Sequence, residues 1–226
     1  MDLISKCEIC PRKCKVNRYE KKGYCRCDDK VRIALVSKHY FEEPCISGRN
    51  GSGTIFFSNC NLNCIFCQNH DISQGGKGID VTIERLAKIM LEQQERGANN
   101  INLVTPTMYV EHIIKAIDIA KKNGLNIPIV YNTNGYEEVE TIKKLNGYID
   151  IYLPDFKYFT NELAIKYSKA PNYFEKVTSA LIEMQSQFDE YVFDGEIMKK
   201  GMIVRHLVLP NHIQNSKNVL KWIKDN

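Results

Sequence analysis

Three cysteines, Cys60, Cys64 and Cys67, lie within one short loop, which we call the cysteine loop (residues 60–67). The C-x3-C-x2-C spacing lets the loop curl so that three thiolates point to a common centre. Soft sulfur ligands select iron–sulfur clusters, zinc or copper(I) over hard ions. Three cysteines leave one metal position free, as catalytic metal centres do, whereas a closed structural zinc site has four ligands. The spacing therefore predicts a metal centre that performs chemistry.

A second group of cysteines lies in residues 1–32, which carry five of the nine cysteines, ten Lys or Arg and five acidic residues. Their spacing is C-x2-C-x3-C followed by C-x-C, close to the paired knuckles of small metal sites. In such sites metal binding supplies the folding energy that so short a segment cannot obtain from a core. The bound group could be zinc or a second [4Fe-4S] cluster, and the spacing does not decide between them. Buried thiols without a metal are the alternative. The predicted metal ligands are Cys7, Cys10, Cys14 and Cys25.

The bulk properties are those of an ordinary globular chain of 226 residues, 43% of them hydrophobic. It has no run of 18 apolar residues and no apolar signal-peptide region at its start, so we expect a cytoplasmic protein that does not enter the membrane. In a reducing compartment, nine cysteines indicate metal ligands rather than disulfides. The net charge of +4 is mild and does not by itself imply nucleic acid as a partner.

Strands and helices alternate from Thr82 onwards, judged by apolar periodicity, caps and breakers. Such alternation means parallel strands with crossover helices outside them. We therefore predict an α/β fold, an open, partial TIM-type (β/α) barrel of about five to six parallel strands over residues 46–226. Residues 1–45 form the predicted cysteine-rich module and linker. The predicted strands include 101–104, 127–131, 149–153 and 203–209, and the predicted helices include 82–96, 110–122, 137–145, 160–169 and 174–188.

Polar loops follow the predicted strands, at the end of the barrel where active sites of this fold class lie. We expect these loops to converge on one site. They are residues 60–70, 105–107, 132–135, 155–157 and 210–212.

The cysteine loop, with Phe66 before its last cysteine, resembles the signature of radical S-adenosylmethionine (SAM) enzymes, in particular the pyruvate formate-lyase activating enzymes and their uncharacterised relatives. Those relatives are also similar in segments 7–14 and 23–26. The resemblance implies that the three thiolates hold a [4Fe-4S] cluster whose fourth iron is chelated by SAM. Electron transfer then cleaves SAM, and the 5'-deoxyadenosyl radical abstracts a hydrogen atom.

The resemblance also implies residues that contact SAM. Residues 132–135 are similar to the family's Asp-Thr-Asn-Gly, and Asp155 and Lys157 match its Asp-x-Lys. Turn formation and a surface ion pair are the respective alternatives. Residues 105–107 stand where the family shows Gly-Gly-Glu, and their hydroxyls and carbonyls can accept the same hydrogen bonds, although a plain X-Pro turn with a Thr cap also fits. The expected cofactor-binding residues are Phe66, Gln68, Thr105, Thr107, Asn132, Asn134, Asp155, Lys157 and Arg205.

Arg205 and His206 stand inside the apolar strand predicted over residues 203–209, where a charge is costly unless it is paired. We expect Arg205 to face the site and bind a carboxylate. We expect His206, like His70 and His212, to be a hydrogen-bonded structural residue.

The resemblance predicts an oxidoreductase that abstracts hydrogen from a glycine of a glycyl-radical enzyme, with flavodoxin or ferredoxin as the electron donor. Another protein or a small molecule is the alternative substrate within this class. From a different class, a zinc-dependent nucleic-acid-binding protein is the rival, with the basic cysteine module as its contact. Iron and sulfide content distinguishes the two classes.

Overall fold

The computed structural model describes residues 3–226 and has an eight-stranded sheet at its centre. The strands are β1 (Val31–His39), β2 (Ser52–Phe57), β3 (Ile79–Val81), β4 (Ile101–Val104), β5 (Ile129–Thr133), β6 (Ile151–Pro154), β7 (Val192–Asp194) and β8 (Ile197–Met202). Their order is β3-β1-β2-β4-β5-β6-β8-β7. The five strands from β2 to β8 in this order pair in parallel, and β1, β3 and β7 add antiparallel edges. The predicted α/β fold, an open partial barrel, is confirmed.

Helices cover the outer face of the parallel strands, and one continuous apolar core joins the two layers. Leu103, Tyr131 and Tyr152 contribute to this core from the sheet. None of the helices in residues 3–226 is long and apolar enough to span a bilayer. The helices are α1 (Pro44–Ser47), α2 (His70–Ser73), α3 (Ile83–Glu95), α4 (Val110–Lys122), α5 (Val139–Lys144), α6 (Asn161–Ser168), α7 (Tyr173–Ser186) and α8 (Ile213–Asp225), with a 3-10 turn at Thr107–Tyr109.

The inner face of the sheet has a small core of its own, built around Ile46 of α1. Ile46 is fully buried, and it packs with Val130, Ile151, Leu153 and Met198. Val130 and Tyr131 are neighbours on β5 and therefore face opposite sides of the sheet. Because most of these residues stand early in their strands, α1 fills the barrel at the amino ends of its strands.

The strand predicted over residues 203–209 is wrong, because the strand in that region is β8, which ends at Met202. Beyond it, Arg205 alone keeps a ladder contact, an isolated parallel bridge to Asp155. The apolar run misled the prediction: Leu207 is 47% exposed and Val208 63% exposed. The true strand carries two lysines and a glycine, which hide its character.

Element boundaries also shift where a local feature decides them. Strand β5 begins at Ile129 instead of residue 127, immediately after Pro128, which has no N–H to give to a ladder. Helix α3 starts as predicted, because the Thr82 hydroxyl accepts a hydrogen bond from the Arg85 N–H at 3.1 Å.

Residues 3–30 contain no helix or strand, yet they lie against the barrel as an ordered series of turns. Strand β1 lies within the predicted N-terminal module and linker, yet it joins the barrel sheet beside β2. The proposed domain boundary at residue 45 stays a prediction.

Candidate active site

The cysteine loop follows β2, so it lies at the carboxyl end of the parallel strands. Asn59 turns the chain into the loop with a φ of 70°, a left-handed conformation that asparagine adopts more readily than most residues. Two main-chain hydrogen bonds then hold the loop against the end of α6. Asn63 N–H donates to Ser168 O at 3.1 Å, and Ile65 N–H donates to Tyr167 O at 2.9 Å.

Each sulfur of the cysteine loop has a polar hydrogen-bonding partner. Cys60 Sγ accepts from Leu62 N–H at 3.4 Å and from Asn134 Nδ2 at 3.3 Å. Cys64 Sγ accepts from the Ser168 hydroxyl at 2.9 Å. Cys67 Sγ lies 3.2 Å from Ser73 Oγ. Hydrogen bonds to sulfur ligands stabilise thiolates and tune the reduction potential of a bound cluster.

The loop after β5 fastens the cysteine loop from the side. The Asn134 amide donates to Asn61 Oδ1 at 2.7 Å as well as to Cys60, and Asn61 donates in return to Tyr136 O at 2.7 Å. Asn134 therefore lies at the predicted site, where its side chain contacts the cysteine loop. Its side-chain oxygen accepts from Tyr136 N–H at 2.9 Å, so it also performs the turn role that was the alternative.

A cluster of charges occupies the inner side of the barrel beside the cysteine loop. Lys157 Nζ contacts Asp155 Oδ2 at 2.5 Å, and Arg205 Nε donates to Asp155 Oδ1 at 3.0 Å. Burial alone would raise the pKa of Asp155, but the charges of Lys157 and Arg205 hold it below its usual value. Burial alone would lower the pKa of Lys157, and Asp155 raises it instead. The surface ion pair that was the alternative is therefore part of a partly buried three-member network, whose side chains are 14–29% exposed.

Arg205 also joins three residues from elsewhere in the chain to this network. Its Nη2 donates to Asn132 Oδ1 at 2.5 Å, and its Nη1 lies 3.4 Å from Glu42 Oε2 and 3.9 Å from Glu43 Oε1. Asn132 in turn donates to Glu42 Oε2 at 3.3 Å. Burial raises the pKa of Glu42, although Arg205 opposes this effect. Sequence reasoning missed Glu42 and Glu43, whose sequence signal was a charged pair directly before the proline that starts α1.

The segment after β4 divides between two environments. Thr105 has a φ of 58°, which is strained for a β-branched residue, and its N–H donates to Asn132 O at 2.9 Å. Thr107 is fully buried, and its hydroxyl donates to Glu137 Oε1 at 2.6 Å. The backbone of Thr105 thus lies beside Asn132, a member of the charged cluster, whereas the Thr107 side chain points to the core.

Of the remaining predicted contacts, Phe66 packs against the main core and Gln68 is exposed. The two histidines near the C-terminus have structural partners, as expected. His206 lies 2.6 Å from Phe156 O and 2.9 Å from Ser216 Oγ, and His212 Nε2 lies 2.8 Å from the Tyr167 hydroxyl.

Residues 54–203, more than half of the chain, match the Radical SAM superfamily. The chain belongs to the radical SAM superfamily. This confirms the resemblance that the cysteine loop carries, and membership implies a [4Fe-4S] cluster and SAM as cofactors.

Known proteins of this kind are similar over much of the chain. An uncharacterized protein of Methanocaldococcus jannaschii is 34% identical over 223 residues, which cover 94% of this chain and 59% of that protein. The pyruvate formate-lyase-activating enzyme of Clostridium pasteurianum is 22% identical over 172 residues, which cover 74% of this chain and 66% of the enzyme. This chain therefore spans about three fifths of the first of these relatives.

The fold is shared with a solved radical SAM structure, native anSMEcpe with bound AdoMet. The TM-score is 0.54 at 18% identity, over 74% of this chain and 46% of that one. Both share the open arrangement of parallel strands.

The residue types of the cysteine loop suit the cluster that the radical SAM superfamily implies. Three soft donors share one loop at the expected end of the sheet, and each already has a hydrogen-bonding partner. Burial raises the pKa of Cys60 to about 12, so metal ligation has to displace its proton. In residues 3–226 no three His, Cys, Asp or Glu side chains stand at the spacing that a metal ion imposes, and this holds for the cysteine loop as well. The individual ligand assignments stay predictions.

Proposed function

We propose that this chain reductively cleaves SAM at a [4Fe-4S] cluster held by Cys60, Cys64 and Cys67 and abstracts a hydrogen atom from its substrate. The observation that carries the proposal is the juxtaposition, at one end of a radical SAM barrel, of three hydrogen-bonded thiols and a partly buried charge network. When bound, the cluster supplies one electron that breaks a carbon–sulfur bond of SAM, which gives methionine and the 5'-deoxyadenosyl radical. The protein binds and orients SAM and the substrate, and it excludes water from the site.

The charge network complements SAM, which carries a carboxylate, an ammonium and a sulfonium. Burial raises the pKa of the Cys64 thiol, and Lys157 lies close enough to the cluster site for its charge to oppose this larger effect. We assign the SAM carboxylate to Lys157. The donors of Arg205 are already engaged by Asp155, Asn132 and Glu42, so Arg205 orients these groups towards the cofactor.

The substrate we propose is a glycine of a glycyl-radical enzyme. The support is the similarity to the pyruvate formate-lyase-activating enzyme of C. pasteurianum, which extends over 74% of this chain. A small electron-transfer protein, flavodoxin or ferredoxin, is the proposed reductant. Another protein or a small molecule remains the rival substrate.

Cleavage of SAM is tested with protein reconstituted anaerobically with iron and sulfide. We expect brown protein with about four irons at the central site, and release of 5'-deoxyadenosine on addition of SAM and dithionite. Alanine at Cys60, Cys64 or Cys67 should abolish that release. Cys45→Ala is the matched control, a partly exposed cysteine outside both cysteine groups, and should behave as the parent. Undiminished release in all three loop variants would contradict the assignment. A colourless protein that holds zinc alone and binds nucleic acid in a salt-dependent way would support the rival class.

The substrate proposal is tested separately, with pyruvate formate-lyase as the probe. Incubation with the reduced protein and SAM should produce an electron paramagnetic resonance signal of a glycyl radical, with 5'-deoxyadenosine in equal amount. Release of 5'-deoxyadenosine without a protein radical would leave the cleavage reaction standing and remove this substrate.

A further inference from the structure

The cysteines of the N-terminal module border one small space. A Cβ on Gly23 would lie 3.2 Å from Cys14 Sγ and 3.7 Å from Cys25 Sγ, so both sulfurs flank the same point. Cys7 interacts electrostatically with Cys14 and Cys25, and Cys10 interacts with Cys7 and Cys25. Four thiols from two segments of the chain therefore border this space, although in this structure they do not stand at the spacing that a bound ion imposes.

The backbone around these thiols forms two tight turns of the kind that present paired cysteines to a metal. In the first turn Lys13 N–H donates to Cys10 O at 3.0 Å, and Lys13 is left-handed with a φ of 38°. In the second turn Arg26 N–H donates to Gly23 O at 2.9 Å, and Arg26 is left-handed with a φ of 68°. Residues 3–30 contain no helix or strand, and a closed four-thiolate site would stabilise both turns together.

Each turn also carries an arginine that reaches the cysteine loop region. Arg12, between Cys10 and Cys14, donates from Nε to Asn61 O at 2.8 Å and from Nη1 to Lys169 O at 2.5 Å. Its guanidinium lies between two tyrosine rings, 4.0 Å from the centroid of Tyr24 and 5.3 Å from that of Tyr136. Tyr24 belongs to the second cysteine turn, so both turns position this arginine.

Arg26, next to Cys25, acts on the other side of the loop. Its Nη2 donates to Ser73 O and to Gln74 Oε1, both at 2.9 Å. Gln74 in turn donates to Leu62 O at 3.1 Å, inside the cysteine loop. The two arginines thus hold adjacent carbonyls of the loop, those of Asn61 directly and Leu62 through Gln74.

We propose that Cys7, Cys10, Cys14 and Cys25 bind one zinc ion, and that this zinc site braces the cysteine loop through Arg12 and Arg26. Zinc suits a closed set of four thiolates, because it is stable as a tetrahedral structural ion and needs no open position. The purpose of the brace, a loop held ready for its cluster, rests on the proposed function. The zinc site and the arginine contacts stand without it.

The zinc site is tested on the full chain equilibrated anaerobically with zinc. A variant with alanine at Cys60, Cys64 and Cys67 removes the central site, so that its metal content reports the N-terminal one alone. We expect one zinc per chain in this background, lost on the further change Cys14→Ser, at a partly exposed position, and retained on Cys45→Ser. Zinc absent from the background variant, or iron with sulfide in its place, overturns the zinc site. Retained zinc in Cys14→Ser overturns the ligand set.

The brace is tested by hydrogen exchange at the amides of Asn63 and Ile65, which are hydrogen-bonded in the loop. Arg12→Lys and Arg26→Lys keep the charge and lose the forked geometry. We expect exchange at these amides to rise roughly tenfold with zinc content unchanged, because a charge-assisted hydrogen bond is lost. Arg85→Lys is the control, since Arg85 pairs with Glu92 on α3 and has no contact with the loop. Unchanged exchange in both test variants overturns the brace. Neither result depends on SAM cleavage.

Discussion

Glu137 is a fully buried carboxyl that joins the ends of β4 and β5. Its Oε1 accepts from the hydroxyls of Thr107 and Thr133, and Tyr131 lies within 3.4 Å. Its Oε2 has no hydrogen-bonding partner among the described residues. Burial raises the pKa of this group from 4.5 to about 7, despite the hydroxyls that favour the charged form. Ionisation of Glu137 therefore destabilises the folded protein.

That cost has a definite sign with pH. Since the folded pKa exceeds the unfolded value of 4.5, the protonated group stabilises the fold fully below pH 4.5, and this contribution is lost as pH rises through about 7. The rise corresponds to roughly 3 kcal/mol in all, of which about 1 kcal/mol falls between pH 6 and pH 8.5. In urea unfolding, the free energy of unfolding of Glu137→Gln should fall by about 1 kcal/mol less than that of the parent between pH 6 and pH 8.5. Equal pH dependence in parent and variant would contradict the assignment.

Lys157 is the residue on which SAM affinity should depend most. Loss of a charge-assisted hydrogen bond costs about 1.5–3 kcal/mol, or roughly 10- to 150-fold in affinity. Lys157→Met should weaken SAM binding by that range in calorimetric titration of cluster-loaded protein. Lys77→Met, at an exposed pair with Asp71, should leave binding unchanged. Affinity within threefold of the parent in Lys157→Met would remove this residue from the cofactor site.

At this scale the sequence revealed the residues that stand next to a strand end and missed those whose partners are distant. Asp155 and Lys157 were predicted because they match the family's Asp-x-Lys just after a predicted strand. Glu42 lies 163 residues from Arg205, and Glu137 is 30 residues from Thr107. Nothing in a local pattern links such pairs, since the fold alone brings them together.

At the scale of elements, Gly135 sets the distance between β5 and β6. It has a φ of 76°, and a Cβ there would lie 2.3 Å from Asp155 O and 2.8 Å from Val177 Cγ2. Gly147 has a φ of 81° and nothing within 4 Å of such a Cβ. The two glycines share a backbone conformation and differ in their surroundings.

Alanine at these two positions therefore separates strain from collision. Gly147→Ala should lower the free energy of unfolding by about 1–2 kcal/mol, the cost of a left-handed residue with a Cβ. Gly135→Ala should cost about 1–3 kcal/mol more, and it should also weaken SAM binding because the carbonyl of Asp155 must move. Urea unfolding and SAM titration measure both effects. Similar results for the two variants would show that the contact between the strand ends is not tight.

The elements themselves were predictable where pattern and packing agree. Helix α4 and strand β4 have the predicted bounds, because each is a regular apolar pattern buried on the expected face. Strand β8 was missed because it pairs with β6 through two residues, Gly201 and Met202. Two lysines, Lys199 and Lys200, also interrupt its apolar pattern. Sheet pairing, and not side-chain pattern, defines that strand.

At the scale of the whole molecule, Arg18 fastens the N-terminal module to the barrel. It is almost fully buried, and it donates to Asp28 O at 2.8 Å and to Met108 O at 2.7 Å. Met108 lies in the 3-10 turn that precedes α4, so this arginine links the module to the helix layer.

We expect the module and the barrel to unfold in one transition because of this link. Arg18→Met should lower the free energy of unfolding by about 1–3 kcal/mol for each carbonyl left unpaired. Lys21→Met, at an exposed site of the same module, should change it by less than about 0.5 kcal/mol. Urea unfolding followed by fluorescence and by exchange of module amides would reveal an independent module as two separate transitions.

Three arginines join the module to the barrel in the same way. Arg12, Arg18 and Arg26 each donate to a main-chain carbonyl of the barrel. A carbonyl is present whatever side chain its residue carries. Over evolutionary time a residue on the receiving side, such as Lys169, can be replaced without loss of this contact, whereas the arginine cannot. An alignment of relatives should accordingly show these three arginines fixed opposite positions that vary, a one-sided pattern that methods based on paired substitutions would overlook.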